Sequence, residues 1–342
     1  MQTTCSCTLR LGRRPFIAGT VALAATRARA EDAPHRIDVH HHIVPPSWLA
    51  ALKQAKLDNP PLSSWTPQRS IEDMDAAGIA TAVTSPTAPQ VGFLPATDAA
   101  RIAREANEYA RQLATDHPGR FGVFAMLPMP YIDECLKEIE YVFDTLNVDG
   151  IGMMTSYGDK WLGYPQFAPV FDELNRRKAT VYTHPTTANC CVNLVQGLSP
   201  ATVEWAADTM RTIANLIFSG AAQRYGDISF IFSHGGGVLT AVAERLEIQM
   251  VSTPPYKGRF TREIVDGQLR RFYYDTAQVS NAVTIDALAK LVPVSQIVFG
   301  TDYPYRTGVE HVRGLAAHFG ADELKGIDRD NALRILPRLG AA

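Results

Sequence analysis

The chain has no run of like charges and no apolar stretch long enough to cross a bilayer, and its 342 residues sum to a formal net charge of −2. The first absence removes the basic footprint that a nucleic-acid or anionic-membrane partner requires. The second removes a membrane anchor, because a spanning helix needs about 20 apolar residues. Cysteine is scarce. Of the five, Cys5 and Cys7 lie near the start, which leaves Cys135, Cys190 and Cys191. That odd number implies no disulfide framework, and adjacent cysteines do not easily bridge to one another; Cys190 and Cys191 read as a loop residue and a packed one. No G-x-G-x-x-G turn follows the first apolar run, where a dinucleotide-binding sheet would place it. What remains is 46% hydrophobic and 20% charged, a globular chain long enough for one large domain or two small ones. Its partner is expected to be a small molecule.

The N-terminus differs from the rest. Arg13-Arg14-Pro15-Phe16 precedes the apolar Ile17 to Ala25 and then Ala28-Arg29-Ala30, the order of a cleavable export signal. The arginine pair before Phe16 points to the twin-arginine route for folded cargo. Residues 1–30 are therefore expected to direct the protein to the periplasm, ahead of a catalytic domain over 35–342; if the segment is not a working signal, the protein stays cytoplasmic.

Beyond Ala33, short apolar runs alternate with amphipathic stretches and no linker interrupts them. The runs are Ile37 to His42, Ile79 to Thr84, Phe121 to Leu127, Val148 to Met154, Thr180 to His184, Ile228 to His234, Phe272 to Thr276 and Ile297 to Asp302. Between them the spacing predicts helices over Arg69 to Ala77, Thr97 to His117, Ile132 to Leu146, Gln166 to Lys178, Ala201 to Tyr225, Val238 to Val251, Asn281 to Leu291 and Val309 to Phe319, with a closing helix over Asn331 to Leu339. Strands alternating with helices require right-handed crossovers in a parallel sheet, and eight such units point to a (β/α)8 TIM barrel. A doubly wound open sheet is the alternative.

In such a barrel the reactive groups project from the carboxyl ends of the strands. Alternation along the first strand is expected to send Asp38, His40 and His42 one way and Val39 and His41 the other, so that His40 and His42 face the interior together. Three further strands end in Thr183-His184-Pro185, Ser233-His234-Gly235 and Thr301-Asp302-Tyr303. Four imidazoles and a carboxylate gathered at one mouth carry a large desolvation cost that a divalent cation relieves.

Together these stretches resemble the amidohydrolase superfamily, and within it the aminocarboxymuconate-semialdehyde decarboxylase-like branch. The matching segments are Asp38-Val39-His40-His41-His42, Asp73-Met74-Asp75-Ala76-Ala77-Gly78, Thr183-His184-Pro185, Ser233-His234-Gly235-Gly236-Gly237 and Phe299-Gly300-Thr301-Asp302-Tyr303-Pro304. The phrases Asp172 to Lys178 and Ala214 to Gly220 look most like the 6-methylsalicylate decarboxylase group. The resemblance implies an amidohydrolase-type barrel in which His40, His42, His184 and Asp302 bind one divalent ion, zinc or manganese, with no organic cofactor. It also implies that His234 beside the ion and Asp302 move protons, and that Arg245 reaches the neighbouring subunit's site in a homodimer to grip the substrate carboxylate. The plainer reading of Arg245 is a surface arginine paired with Glu244 or Glu247.

The fourth run ends Met153-Met154-Thr155, with no lysine or glutamate to bridge a second ion. The loop from Ile43 to Trp65 lacks the arginine, and His184-Pro185 lacks the following tryptophan, that muconate-type enzymes carry. The expected substrate is thus a small aromatic acid with one carboxylate, of salicylate type, and the expected reaction its non-oxidative decarboxylation. Phe93, Tyr157, Trp161 and Tyr305 are aromatics that would line its ring, and Asp275 would orient His234 or serve structure. Two rivals use the same residues: hydrolysis of a lactone or amide by ion-bound hydroxide, and metal or solute binding without turnover.

Overall fold

The computed structural model describes residues 34–340; the expected export signal lies outside them. Eight strands make one parallel sheet in chain order. They are β1 (Arg36–His42), β2 (Ile79–Ser85), β3 (Phe121–Met126), β4 (Gly150–Met154), β5 (Thr180–His184), β6 (Ser229–Phe232), β7 (Tyr273–Asp275) and β8 (Ile297–Val298). The sheet curls back on itself through backbone hydrogen bonds beside β8: Val39 N–H donates to Phe299 O at 3.0 Å and Asp302 N–H to His40 O at 2.8 Å. The expected barrel is the one observed. Its interior holds Ile37, Val39, Val83, Phe124, Tyr182, Ile231 and Val298, packed with Ala332, Leu336 and Leu339 from the C-terminal segment.

Helices bury the outer faces of the strands. They are α1 (Pro46–Ala55), α2 (Pro67–Ala77), α3 (Ala96–Asp116), α4 (Ile132–Asp144), α5 (Ala168–Arg176), α6 (Pro200–Phe218), α7 (Leu239–Arg245), α8 (Arg262–Arg271), α9 (Ala282–Leu291) and α10 (Gly308–Ala316). In α3 the residues Ala99, Ile102, Ala103, Ala106, Ala110 and Leu113 recur at helical spacing and are buried, the stripe that a surface helix presents to a core.

Several expected elements change. The stretch Ala201 to Tyr225 breaks at Ser219-Gly220, where Gly220 takes φ 86, which leaves α6 and a single turn at Ala221–Arg224. The expected closing helix is instead two short pieces, Asn331–Leu333 and Pro337–Gly340, because Pro337 has no N–H to continue the ladder. The segment between β1 and β2 is not bare loop: Trp48 of α1 is fully buried and its indole donates to Gln90 O at 2.7 Å.

The alternation expected along β1 also fails, in one place. Ile37 and Val39 pack in the interior, yet His40 and His42 turn inward as well, while Asp38 pairs with His41. The register against β2 shifts between Asp38 and His41, and His40 N–H donates to Asp38 Oδ1 at 3.0 Å. A bulge adds a residue to one strand and reverses the parity beyond it, so the apolar floor and the histidines share one side of one strand.

Candidate metal centre

His40 and His42 near the end of β1, His184 at the end of β5 and Asp302 beyond β8 converge, with one nitrogen or oxygen from each lying within 4.8 Å of all the others. Asp302 adopts φ 64, a left-handed conformation that turns its carboxylate back over the barrel. Gly300 makes room for that return, since a Cβ there would sit 2.9 Å from His40 Cβ. His234 follows β6 and stands beside the group, its ring centroid 4.9 Å from that of His40 and 6.2 Å from that of His184.

Hydrogen bonding fixes the tautomer of each imidazole. His40 Nδ1 lies 2.8 Å from Asp275 Oδ2, His42 Nδ1 3.2 Å from Ser85 O, and His184 Nδ1 2.8 Å from Pro185 O. Carboxylate and carbonyl oxygens only accept, so all three rings donate from Nδ1. Their Nε2 atoms then face inward: Asp302 Oδ1 lies 3.0 Å from His42 Nε2 and 3.2 Å from His40 Nε2, while the Thr87 hydroxyl lies 3.3 Å from His184 Nε2 and can donate to it. Apart from that approach of Asp302, the buried His40 Nε2 has no partner among the described residues. A buried carboxylate oxygen shared by two imidazole nitrogens calls for a proton or a cation between them. Three imidazoles and a carboxylate, each oriented by a second partner, are the donor set and surroundings of a divalent ion.

The titration of these groups follows from the same packing. Burial alone lowers the His40 pKa, but the Asp275 and Asp302 carboxylates outweigh it and lift it to about 10. Burial, then the neighbouring His42 and His40, drive His184 well below its usual value. His42 and His234 are lowered too, with burial the leading cause. For Asp302 burial acts upward, yet the charge of His40 and the hydrogen bonds of His40 and His42 hold it well below the usual carboxylate range.

Asp275 does more than was expected of it, and elsewhere. Its Oδ2 takes the His40 ring, while Oδ1 accepts from the backbone N–H of His234 at 2.8 Å and of Ala277 at 3.0 Å. The His234 ring itself is held by Ala277 O, 3.0 Å from Nδ1. His41, as expected, turns away from His40 and His42; it is bonded to Asp38 Oδ2 and Ser70 Oγ at 3.0 Å each.

A cleft of about 830 Å³ opens over the centre and includes His234, Asp302, Gln278, Trp205 and Tyr305 in its walls. Of the four aromatics expected to line the substrate, Tyr305 alone lies in the wall of this cleft. Phe93 and Tyr157 pack against the core, and Trp161 donates to the buried Asp208. Trp205 was missed; it lies on α6 with its ring 5.6 Å from that of His184, and its only signal was its place on a helix bordering the β5 end. Cys190 is exposed and Cys191 buried, both outside the ligand group. Arg245 is exposed at the end of α7, and Glu247 pairs with Arg262 instead.

The sequence pattern of the amidohydrolase family matches residues 37–338. The chain belongs to that family. Among its relatives, the 6-methylsalicylic acid decarboxylase of Penicillium expansum is 34% identical over 316 residues, covering 89% of this chain and 97% of that protein. The decarboxylase yanB of Aspergillus niger is 34% identical over 330 residues, covering 89% and 88%. A solved amidohydrolase II superposes with a TM-score of 0.80 at 26% identity, covering 88% of this chain and 99% of the other.

Proposed function

We propose that the protein is a metal-dependent, non-oxidative decarboxylase of a small aromatic carboxylic acid of salicylate type, such as 6-methylsalicylate. The observation that carries this reading is the convergence of His40, His42, His184 and Asp302, one nitrogen or oxygen of each within 4.8 Å of the others, with His234 at the wall of the cleft. We assign His40, His42, His184 and Asp302 as ligands of one divalent ion. Zinc suits three imidazoles and a carboxylate, and manganese is the alternative. Bound there, the ion would supply a Lewis acid for a carboxylate and its neighbouring hydroxyl oxygen.

The remaining chemistry falls to the chain. Trp205 and Tyr305 supply flat apolar walls for an aromatic ring. The Nδ1 proton of His234 is committed to Ala277 O, so the nitrogen free to exchange a proton is Nε2. A proton passed from there to the ring carbon, as the bond to the carboxylate breaks, leaves Ar–H and CO2 from Ar–CO2⁻ and H⁺. Asp302, kept ionised, stabilises positive charge on that imidazole.

Among the described residues that line the cleft there is no lysine or arginine. A bound carboxylate is therefore met by the ion, by neutral donors or by another subunit. This supports a homodimer in which Arg245, exposed and without an acidic partner among the described residues, reaches the neighbouring site. Sedimentation showing a monomer at working concentration would remove that part. Export by the twin-arginine route is proposed on residues 1–30, and cell fractionation tests it.

The experiment is to load the protein with zinc or manganese and offer 6-methylsalicylate, other hydroxybenzoates and lactones. Released CO2 is the expected result. Ring-opened acid with no CO2 would instead mean hydrolysis, and silence across the panel would reject an enzyme in favour of a binding protein.

A further inference from the structure

We propose that Gln278 is a positioning residue for the metal centre: its side-chain amide selects which oxygen of Asp302 faces the histidines, and the buried His311 holds Gln278 in the backbone conformation this requires. The inference rests on the ligand assignment above and adds two residues to it.

Asp302 has two oxygens in different settings. Oδ1 faces His40 and His42, whereas Oδ2 accepts a hydrogen bond from Gln278 Nε2. A carboxylate without such a partner is free to rotate about χ2 and to exchange or share its oxygens. With Oδ2 tied to an N–H donor, Oδ1 alone is presented.

Gln278 stands where a side chain is normally disfavoured, at φ 58. Its N–H donates to His311 Nε2 at 2.9 Å. His311, on α10 and 1% exposed, has Nδ1 2.9 Å from Thr307 O, so Nδ1 carries the proton and Nε2 is left as acceptor. The turn is closed by Val279 N–H to Thr276 O at 3.1 Å. From this turn Asp275 reaches His40, Ala277 O reaches His234 and Gln278 reaches Asp302. The Gln278 side chain is exposed on the cleft wall, so packing does not demand a glutamine there; the donor does.

The test compares wild type with Gln278→Met, which keeps length and loses the donor, and Gln278→Gly, which also relieves the left-handed strain. Zinc and manganese dissociation constants are measured by competition with a chromophoric chelator, alongside the thermal midpoint of the chelated protein. Both variants should bind the ions about 10–100-fold more weakly, with the chelated midpoint of Gln278→Met close to wild type and that of Gln278→Gly equal or higher. His311→Phe should weaken binding in the wild-type background and add little to Gln278→Met, because the two act in series. Ion affinity of Gln278→Met within threefold of a wild type that does bind the ion overturns this inference and leaves the proposed function standing. A wild type that binds neither ion overturns both.

Discussion

Replacing Asp275 with asparagine exchanges one oxygen for an NH2 group in a site that the backbone locks. Oδ1 accepts from two backbone N–H groups, those of His234 and Ala277 at 2.8 and 3.0 Å, so in Asp275→Asn the amide oxygen must stay there. The new NH2 then occupies the place of Oδ2, 2.8 Å from His40 Nδ1. Two donors cannot face each other, so His40 moves its proton to Nε2, the nitrogen that must be bare to hold an ion. The loss combines a charge-assisted hydrogen bond, about 1.5–3 kcal/mol, with the wrong tautomer. Orienting partners of ligand histidines typically carry about 10–100-fold in affinity, roughly 1.4–2.7 kcal/mol, and a loss at or above the top of that range is expected. Competition with a chromophoric chelator measures it, and near-ultraviolet circular dichroism verifies the fold. Ion affinity within threefold of wild type would refute the tautomer argument.

Other outcomes follow from the same geometry. His184→Ala should lose both ion and turnover, while His234→Ala keeps the ion and loses turnover; metal analysis beside an activity assay separates the two, and retained activity in either contradicts its role. Stripping the ion with a chelator should lower the thermal midpoint by several degrees, since a ligand at a thousandfold its dissociation constant adds about 4 kcal/mol; an unchanged midpoint would count against a bound ion. Gly237→Ala should destabilise by roughly 2–5 kcal/mol, because φ is +67 and the added Cβ runs into the Ala206 carbonyl; denaturant titration with an unchanged midpoint would show that the loop yields. Trp205→Ala should raise KM about tenfold with a smaller change in kcat, through loss of an aromatic wall, and an unaltered KM would move the substrate ring elsewhere.

Most of the barrel was legible from the sequence, because apolar runs of strand length separated by helical periodicity leave few alternatives. Strand centres agreed with the expected runs, and differences gathered at ends, as between the expected Ile297 to Asp302 and the observed Ile297–Val298. The convergence of the five candidate residues was legible for a related reason: in a parallel barrel the carboxyl end of every strand opens on one mouth, so His40, His42, His184, His234 and Asp302 meet wherever their strands close the ring. Parity along β1 was not legible. The bulge depends on Asp38 accepting from the His40 backbone and from Thr301, a residue distant in sequence.

What the sequence by itself determined was therefore the set of chemical groups and the end of the barrel to which they belong. Those follow from local periodicity and chain order, which each segment carries alone. Only the tertiary structure decided which nitrogen of each histidine faces inward, that Asp275 serves His40 and not the ring of His234, and that Gln278, His311 and Trp205 surround the centre. Those are contacts between segments far apart in the chain, set by hydrogen-bond directions over a few ångströms, and no spacing within one segment encodes them.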